Sequence, residues 1–453
     1  MVPLPAAFRR AAVLAIALAC PLTALADAPA ASDLPVRDLA DCVAIALQES
    51  PTLAVAAENT GIAGQGVRQA KGQFLPSLSL SRTWQKSERT EYDYENPVTL
   101  AISDYKEKSK YKDYGASSDF YLFRGLSDFG SLRAARNDLR AAEASESYTR
   151  QQVIEAVAAA YIGLLRSERL LDVAVQSEDL AAREYEKAET YHRIGSAARS
   201  DVLQAKVRQE QTRLEVIRAR NAVEQAFANL AHAMNRPLAE RFDVDRSLLE
   251  HDDQVGDLDA LFAEAVANRQ DLQSRQYNVE ARGGDVTAAA GGLLPQVRLF
   301  ARYSRTTNES RFIFGAAEGM SVSYGYTVNW NIFDRFATLA GRSQAKARQR
   351  IAEYNLDQAQ LDAQLEVRQL YNSQVEARER LTLSRETIAN AEEQLRLAQE
   401  RFKVGAGTML DQITAQVNLA TAQSDEVQAI CDFRIASFQL DRAVGRPLEG
   451  LTR

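Results

Sequence analysis

Histidine and cysteine are scarce in this chain of 453 residues, three of each. His192, His232 and His251 share no metal-ligand spacing, and neither HExxH nor CxxC occurs, so no zinc-type site is expected. No Ser/His/Asp or Cys/His signature of a nucleophilic enzyme is visible. Gly61-Ile-Ala-Gly64-Gln-Gly66 is glycine-rich, but it lacks the GxGxxG order and follows a helical pattern instead of a strand. It reads as small residues that let helices approach. The 11 prolines sit at junctions and stay out of the long periodic runs. After the first 26 residues no stretch approaches about 18 uninterrupted apolar residues, so no transmembrane helix is expected there. Acidic residues outnumber basic ones, 61 to 54, and a net charge of −7 argues against nucleic acid as a partner. Nothing argues for an active site; the expectation is no enzyme and no cofactor.

What the chain does contain is a duplication. Tyr191-His-Arg-Ile194-Gly195-Ser-Ala-Ala-Arg-Ser200-Asp201 is matched 210 positions later by Arg401-Phe402-Lys-Val404-Gly405-Ala-Gly407-Thr-Met-Leu-Asp411. The same offset pairs Phe123 with Phe333, Ala135 with Ala345, Tyr161 with Tyr371, and Asn235-Arg-Pro-Leu238 with Gly445-Arg-Pro-Leu448. The block 123–238 therefore repeats as 333–448 without a gap. Loops tolerate insertions, so an unbroken register of this length points to long rods. One inserted residue would rotate the whole downstream face of a rod.

The order along the chain follows. Arg9 and Arg10, the apolar run Ala11–Ala19 and the small residues Ala24-Leu-Ala26 read as a signal peptide, 1–26. Cys20 after Leu18-Ala19 raises a lipoprotein alternative, although Ala17 stands where such signals usually carry Leu. Cleavage leaves Cys42 and Cys431, both on apolar helical stripes. Buried free thiols are the simpler reading, and a disulfide between them is the alternative in an oxidising compartment. A first-repeat helical segment spans 27–75, with Ser50-Pro51 starting a fresh turn, and its counterpart spans 257–294.

Between these helices and the rods the period changes to two. Leu78, Leu80 and Trp84, then Val297, Leu299, Ala301 and Tyr303, then Val322, Tyr324, Tyr326, Val328 and Trp330 alternate with polar residues. This pattern predicts strand pairs in 76–122 and 295–332, greasy on one face. The stretch from about Glu88 to Asp113, dense in Lys, Glu, Asp and Tyr, shows no periodicity and reads as an exposed loop. In the rods, Leu381, Ile388, Leu395 and Phe402 fall seven apart, as in coiled coils. Gly195 and Gly405 end the outgoing helices. Ser200 and Thr408 are the expected N-caps of the return helices. Residues 239–256 connect the halves, with a short strand expected near Arg241–Val244, and 449–453 form a tail.

Taken together, Cys42-Val-Ala-Ile-Ala-Leu-Gln-Glu-Ser-Pro51, the Leu-Pro before each strand region, Leu122-Phe123, Ile332-Phe333-Asp334 and the two [Ile/Val]-Gly-x5-Asp turns resemble the TolC-type outer-membrane efflux family. The resemblance implies a mainly α fold with membrane β. Duplicated helical hairpins would form an α-barrel, and four strands per chain would contribute to a 12-stranded outer-membrane barrel in a homotrimer. It also implies an exit duct for a tripartite efflux or type I secretion system. The turns would form a closed tip that meets a periplasmic adaptor and an inner-membrane transporter, with outer-membrane lipid around the barrel.

By position, Asp411 and Asp201 match carboxylates at the family's constriction, and Phe402 matches an aromatic latch residue. Gly407 replaces a basic latch partner and Thr414 a second carboxylate. Ile194, Gly195, Ser200, Phe402, Val404, Gly405 and Gly407 are the expected adaptor contacts. Read from the residues alone, each aspartate is equally a helix-start carboxylate favoured by the helix dipole. If Asp411 forms a ring, crowding is expected to raise its pKa. The alternative to a channel is a periplasmic or surface coiled coil with small β caps.

Overall fold

A computed structural model of the chain describes residues 36–95, 102–237, 241–246, 248, 256–310 and 317–448. The expected signal peptide and the C-terminal tail lie outside the described residues. Two short helices come first, α1 (Leu39–Glu49) and α2 (Pro51–Gly72), meeting at Ser50. The Ser50 hydroxyl accepts from the Leu53 amide at 3.3 Å and Pro51 occupies the first helical position, where its missing N–H costs nothing. The second repeat builds the same break between α5 (Leu258–Asn268) and α6 (Gln270–Ala290), but with Arg269 at the junction.

The rods have identical lengths. Helix α3 (Ser127–Arg193) and helix α7 (Ala337–Lys403) each run 67 residues, about 100 Å at 1.5 Å per residue. They return as α4 (Arg199–Ala233) and α8 (Met409–Val444). Each rod is entered through a left-handed pair, Gly125-Leu126 and Arg335-Phe336, with φ between 57° and 72°. Three of these four residues carry a side chain, so the corner from strand to rod is strained in both halves.

Side by side, the helices form four columns. α3 packs against α2 and α4 on one flank and against α6 and α8 on the other, and α7 packs outside α6 and α8. α3 and α6 approach backbone to backbone: a Cβ added at Gly284 would lie 2.6 Å from the Ala134 amide nitrogen, and one at Gly130 2.4 Å from that of Ala288. The main core lies midway along α3, where Ile154, Val157, Tyr161, Ile162, Leu164 and Leu165 pack with α1, Phe227, Leu230 and Met234. Two two-residue strands close over it, β1 (Val36–Arg37) pairing in parallel with β4 (Asp243–Val244). The buried Tyr161 hydroxyl donates to the carbonyls of Asp245 (2.8 Å) and Arg37 (3.3 Å), fixing that strap to the rod.

Both cysteines sit in this core as free, buried thiols, so the disulfide alternative is corrected. Burial pushes the Cys42 thiol up to about 12 and raises that of Cys431, the profile of inert packing groups.

The remaining strands form one antiparallel sheet in the order β2 (Ser77–Glu95), β3 (Ile102–Arg124), β5 (Gln296–Ser310), β6 (Ala317–Asn329). The register places Leu78, Ser118, Ala301 and Tyr324 in one row and Leu80, Ala116, Tyr303 and Val322 in the next, all on one face. Ser79, Ser117, Arg302 and Ser323 share the other. The exposed loop expected over Glu88–Asp113 is corrected. β2 and β3 stay paired from Ser77↔Asp119 to Glu95↔Ile102, with a register shift near Glu91–Tyr94. The distal ribbon carries polar residues on both faces, so no hydrophobic alternation marks it. Cross-strand pairs such as Lys108–Glu88 at 3.4 Å and the Ser87–Ser109 hydroxyl contact at 2.6 Å hold it instead.

Where α5, α6, α7 and α8 meet α3, an ionic cluster borders the apolar contacts of Leu261, Ala265, Val367 and Val444. Arg269, 5% exposed, donates to Asp271 (2.9 Å) and Glu366 (2.6 Å). Arg442 donates to the other Glu366 oxygen at 2.7 Å and pairs with Glu155. Burial alone would raise the Glu366 carboxyl, but the two guanidinium groups carry it below its usual range. Its stabilising contribution is therefore present above the ordinary glutamate pKa and is lost as pH falls through the depressed folded value. Arg269→Ala leaves Asp271 without its partner and Glu366 with Arg442 alone, and is expected to cost about 2 kcal/mol. The check is thermal unfolding by circular dichroism at pH 7, where an unchanged midpoint would count against the cluster's role.

Candidate functional site at the hairpin tips

The two tips are copies in backbone as well as in sequence. At the end of α3, Gly195 (φ +79°) lets the Ser196 amide donate to the Tyr191 carbonyl at 2.8 Å and its own amide to His192 at 3.0 Å. At the end of α7, Gly405 (φ +75°) does the same through Ala406 to Arg401 at 2.9 Å and its own amide to Phe402 at 3.0 Å. This paired closure ties off the last helical carbonyls and turns the chain within a few residues. Ile194 and Val404, beside the glycines, are 70% and 77% exposed. A Cβ at Gly407 would meet the Arg401 Cβ at 3.1 Å, so a small residue fits the second turn.

The aspartates begin the return helices. Asp411 accepts from the Thr408 amide (2.9 Å) and hydroxyl (2.8 Å), and its own amide donates to the Thr408 hydroxyl oxygen (3.2 Å), a complete capping box. Those donors from Thr408 hold the fully exposed Asp411 carboxyl below the usual range, a bias toward charge that crowding in a ring would oppose. Asp201 accepts from the Ala198 amide at 3.2 Å, half of the same box. Ser200 is not the N-cap: α4 starts at Arg199, Ala198 holds the cap position, and Ser200 is exposed in the first turn. As the second helical residue it lies past the position from which a side chain caps the first-turn amides. On α8, Asp411, Thr414, Asn418 and Thr421 follow one another along one exposed stripe.

The tips lie together. The rings of Tyr191 and Phe402 are 6.2 Å apart, and Ala188, Ala205, Met409, Val202 and Ile413 complete a small apolar cluster between the hairpins. Behind it, between α3, α4 and α8, the packing turns polar. Glu184, Arg208, Gln412 and Gln416 are all at least nine-tenths buried. Arg208 reaches Glu215 at 3.6 Å, while Gln412 Oε1 and Gln416 Nε2 have no hydrogen-bond partner among the described residues. Sequence reasoning passed over this seam. Its signal was the pair Gln412/Gln416, four apart on the stripe that otherwise runs Met409, Ala415, Leu419.

Far from the tips, the lateral edges of the molecule are open. In the sheet, β2 and β6 are each paired on one side only. In the helical layer, the flank bearing α2 and α4 exposes Val55, Ile62, Leu203, Val207, Leu214 and Ile217. The opposite flank, α7, exposes Ile351, Tyr354, Leu361, Leu365 and Leu383. The α4 series and the α7 series as far as Leu365 step by three, four or seven residues, the spacing of a helix seam that lacks its partner. β2 follows α2 and β6 precedes α7, so the open strand edges continue the open helix flanks.

The sequence signature described as outer membrane efflux protein matches residues 43–236 and 261–446, most of the chain. The chain belongs to the outer membrane efflux protein family. The outer membrane efflux protein BepC of Brucella suis biovar 1 (strain 1330) is 27% identical over 401 residues, covering 85% of this chain and 80% of that one. The outer membrane protein TolC of Vibrio cholerae serotype O1 is 20% identical over 412 residues, covering 90% and 91%. Among solved structures, the outer-membrane channel OprN superposes with a TM-score of 0.74 at 20% identity, covering 91% of this chain and 90% of that one. VceC from Vibrio cholerae does so at 0.74 and 19%, covering 90% and 96%. The relatives are channel proteins, and this efflux protein is placed in the outer membrane with its helices in the periplasm.

Proposed function

We propose that this efflux protein works as a homotrimer, a conduit without catalysis, in which the strand regions 76–122 and 295–332 close one barrel and the rods close one tunnel. The observation that carries this reading is the coincidence of open strand edges with open apolar helix flanks on both sides of the protomer. An open edge cannot face lipid, because unpaired backbone groups there cost several kcal/mol each. Two copies would supply eight strands, whose interior fills with side chains. Three copies of a four-stranded sheet supply twelve and leave a lumen lined by the serine-rich face. The apolar face runs ten residues from Trp330 to Met320, about 25 Å high for strands tilted near 40°. Trp330, whose indole N–H donates to the Leu293 carbonyl at 3.1 Å, anchors its periplasmic end. Extraction from outer membranes should yield a particle of three protomer masses that conducts in planar bilayers. A soluble monomeric rod would favour the coiled-coil alternative.

At the tip, Asp411 with Asp201 forms the constriction, and the surrounding turns meet a periplasmic adaptor that links the duct to an inner-membrane transporter. The polar seam of Glu184, Arg208, Gln412 and Gln416 suits a gate, since such a seam parts without exposing apolar surface. Three Asp411 carboxylates around an axis attract cations and bind trivalent ones most strongly. Asp411→Ala should lower cation selectivity and blunt trivalent block in bilayer recordings. Thr408→Ala removes a donor that favours the charged carboxylate, so the pH at which selectivity fades should move upward. Unchanged reversal potential and block in Asp411→Ala would reduce the aspartate to a helix cap.

A further inference from the structure

The lipid-facing side of the sheet does not end where its apolar band ends. All four helix connections leave one end of the sheet, so with the helices in the periplasm the opposite strand ends, Glu95 and Ile102 and then Ser310 and Ala317, face outward from the cell. Moving outward along the apolar face, the register gives the rows Arg82–Tyr114–Arg305–Met320, Trp84–Lys112–Thr307–Glu318, Lys86–Lys110–Glu309 and Glu88–Lys108. These rows hold six cations and three carboxylates. The opposite, lumenal face of the same stretch carries Thr83, Gln85, Ser87, Tyr111, Thr306 and Asn308, with Asp113 as its one charge over these rows. The excess positive charge is confined to the side that faces lipid.

Each carboxylate on that side is already engaged. Glu88 lies 3.0 Å from Lys86 and 3.4 Å from Lys108, Glu309 lies 3.1 Å from Lys112 and 3.4 Å from Lys110, and Glu318 lies 3.2 Å from Arg305. Two lysines share each of two glutamates, so three positive charges per protomer are left over. The four lysine side chains are 39–61% exposed and stand on the rigid paired ribbon instead of a loop. Arg82 packs its guanidinium 5.3 Å from the Tyr114 ring, at the level where the band closes. Cations of this density, immediately above a lipid-contacting apolar face and flanked by Trp84 and Tyr114, match the headgroup level of an anionic bilayer leaflet.

We propose that this belt binds the phosphate groups of phosphorylated lipid in the outer leaflet, fixing the depth and the lipid shell of the barrel. The proposal rests on the lipid-facing assignment of the apolar face, whose failure would appear separately, as loss of a conducting oligomer. The test uses the full-length protein in detergent, offered bis-phosphorylated lipid A and its dephosphorylated form in equal amounts, with bound lipid read by native mass spectrometry. The wild type should retain the phosphorylated form at least tenfold over the dephosphorylated one. The variant carrying Lys86→Gln, Lys108→Gln, Lys110→Gln and Lys112→Gln should lose that preference, and the four corresponding Lys→Arg changes should keep it. If the fourfold Gln variant does not assemble, Lys110→Gln with Lys112→Gln should still reduce it several-fold. Equal retention of the two lipids by the wild type, or an undiminished preference in the Gln variants, overturns the proposal. So does stripping of lipid A by millimolar inorganic phosphate, which would make the belt a site for the free anion.

Discussion

Removal of residues 296–332 should abolish insertion into the outer membrane while leaving a helical protein in the periplasm. The deletion takes out β5 and β6 and leaves β2 and β3 as a lone hairpin with two open edges. Three copies would then supply only six strands, fewer than the eight of the smallest membrane barrels, so the edges stay open to lipid. The rods retain their own cores, from the Ile154–Leu165 stretch to the Leu395–Ala415 contact near the second tip, so helical circular dichroism should survive. Fractionation and bilayer recording decide the matter. A conducting trimer recovered from outer membranes would refute the assignment of these strands to the barrel.

Export should fall to background when Gly195 and Gly405 are both replaced by valine, with assembly intact. Both glycines have positive φ, where a β-branched residue is strained by about 1–2 kcal/mol. Yet no atom lies within 4 Å of a Cβ built at either position, so the new side chains would project outward from the tip and not into the fold. The damage would therefore concentrate on whatever docks there. Site-directed crosslinking to the adaptor and export measured in the same cells provide the check. If both persist at wild-type levels, docking does not use these turns.

The rods and tips were legible because two signals agreed over long stretches, the seven-residue spacing of Leu381, Ile388, Leu395 and Phe402 and the fixed offset between halves. The membrane strands were legible from the alternation around Tyr324 and Tyr326. The outer part of β2 and β3 was not, since pairing there depends on cross-strand charges and hydroxyls that a single strand does not reveal. The Arg269–Glu366–Arg442 cluster was invisible for a related reason: its members are separated by 76 or more positions and acquire meaning only when α5, α7 and α8 converge. Ser200 misled because it is a good capping residue two positions too late, whereas the cysteines are the buried free thiols that their apolar stripes indicated. Asp411 was read from its position in the turn, and the capping box gives it a structural duty beside the proposed electrostatic one.

The equality of α3 and α7 constrains how the depth of the duct can change. Both hairpins start from one sheet and end at one level, so lengthening one alone would leave its turn overhanging the other. Lengthening both by a single residue would advance the tips by only 1.5 Å but swing every side chain by about 100°, turning seam residues into the lumen. Additions of seven or eleven residues leave the faces within about 20° of their starting direction, and eighteen restores it. The reach of such a duct across the periplasm is accordingly stepped, in increments of about 10, 16 or 27 Å taken by both rods together.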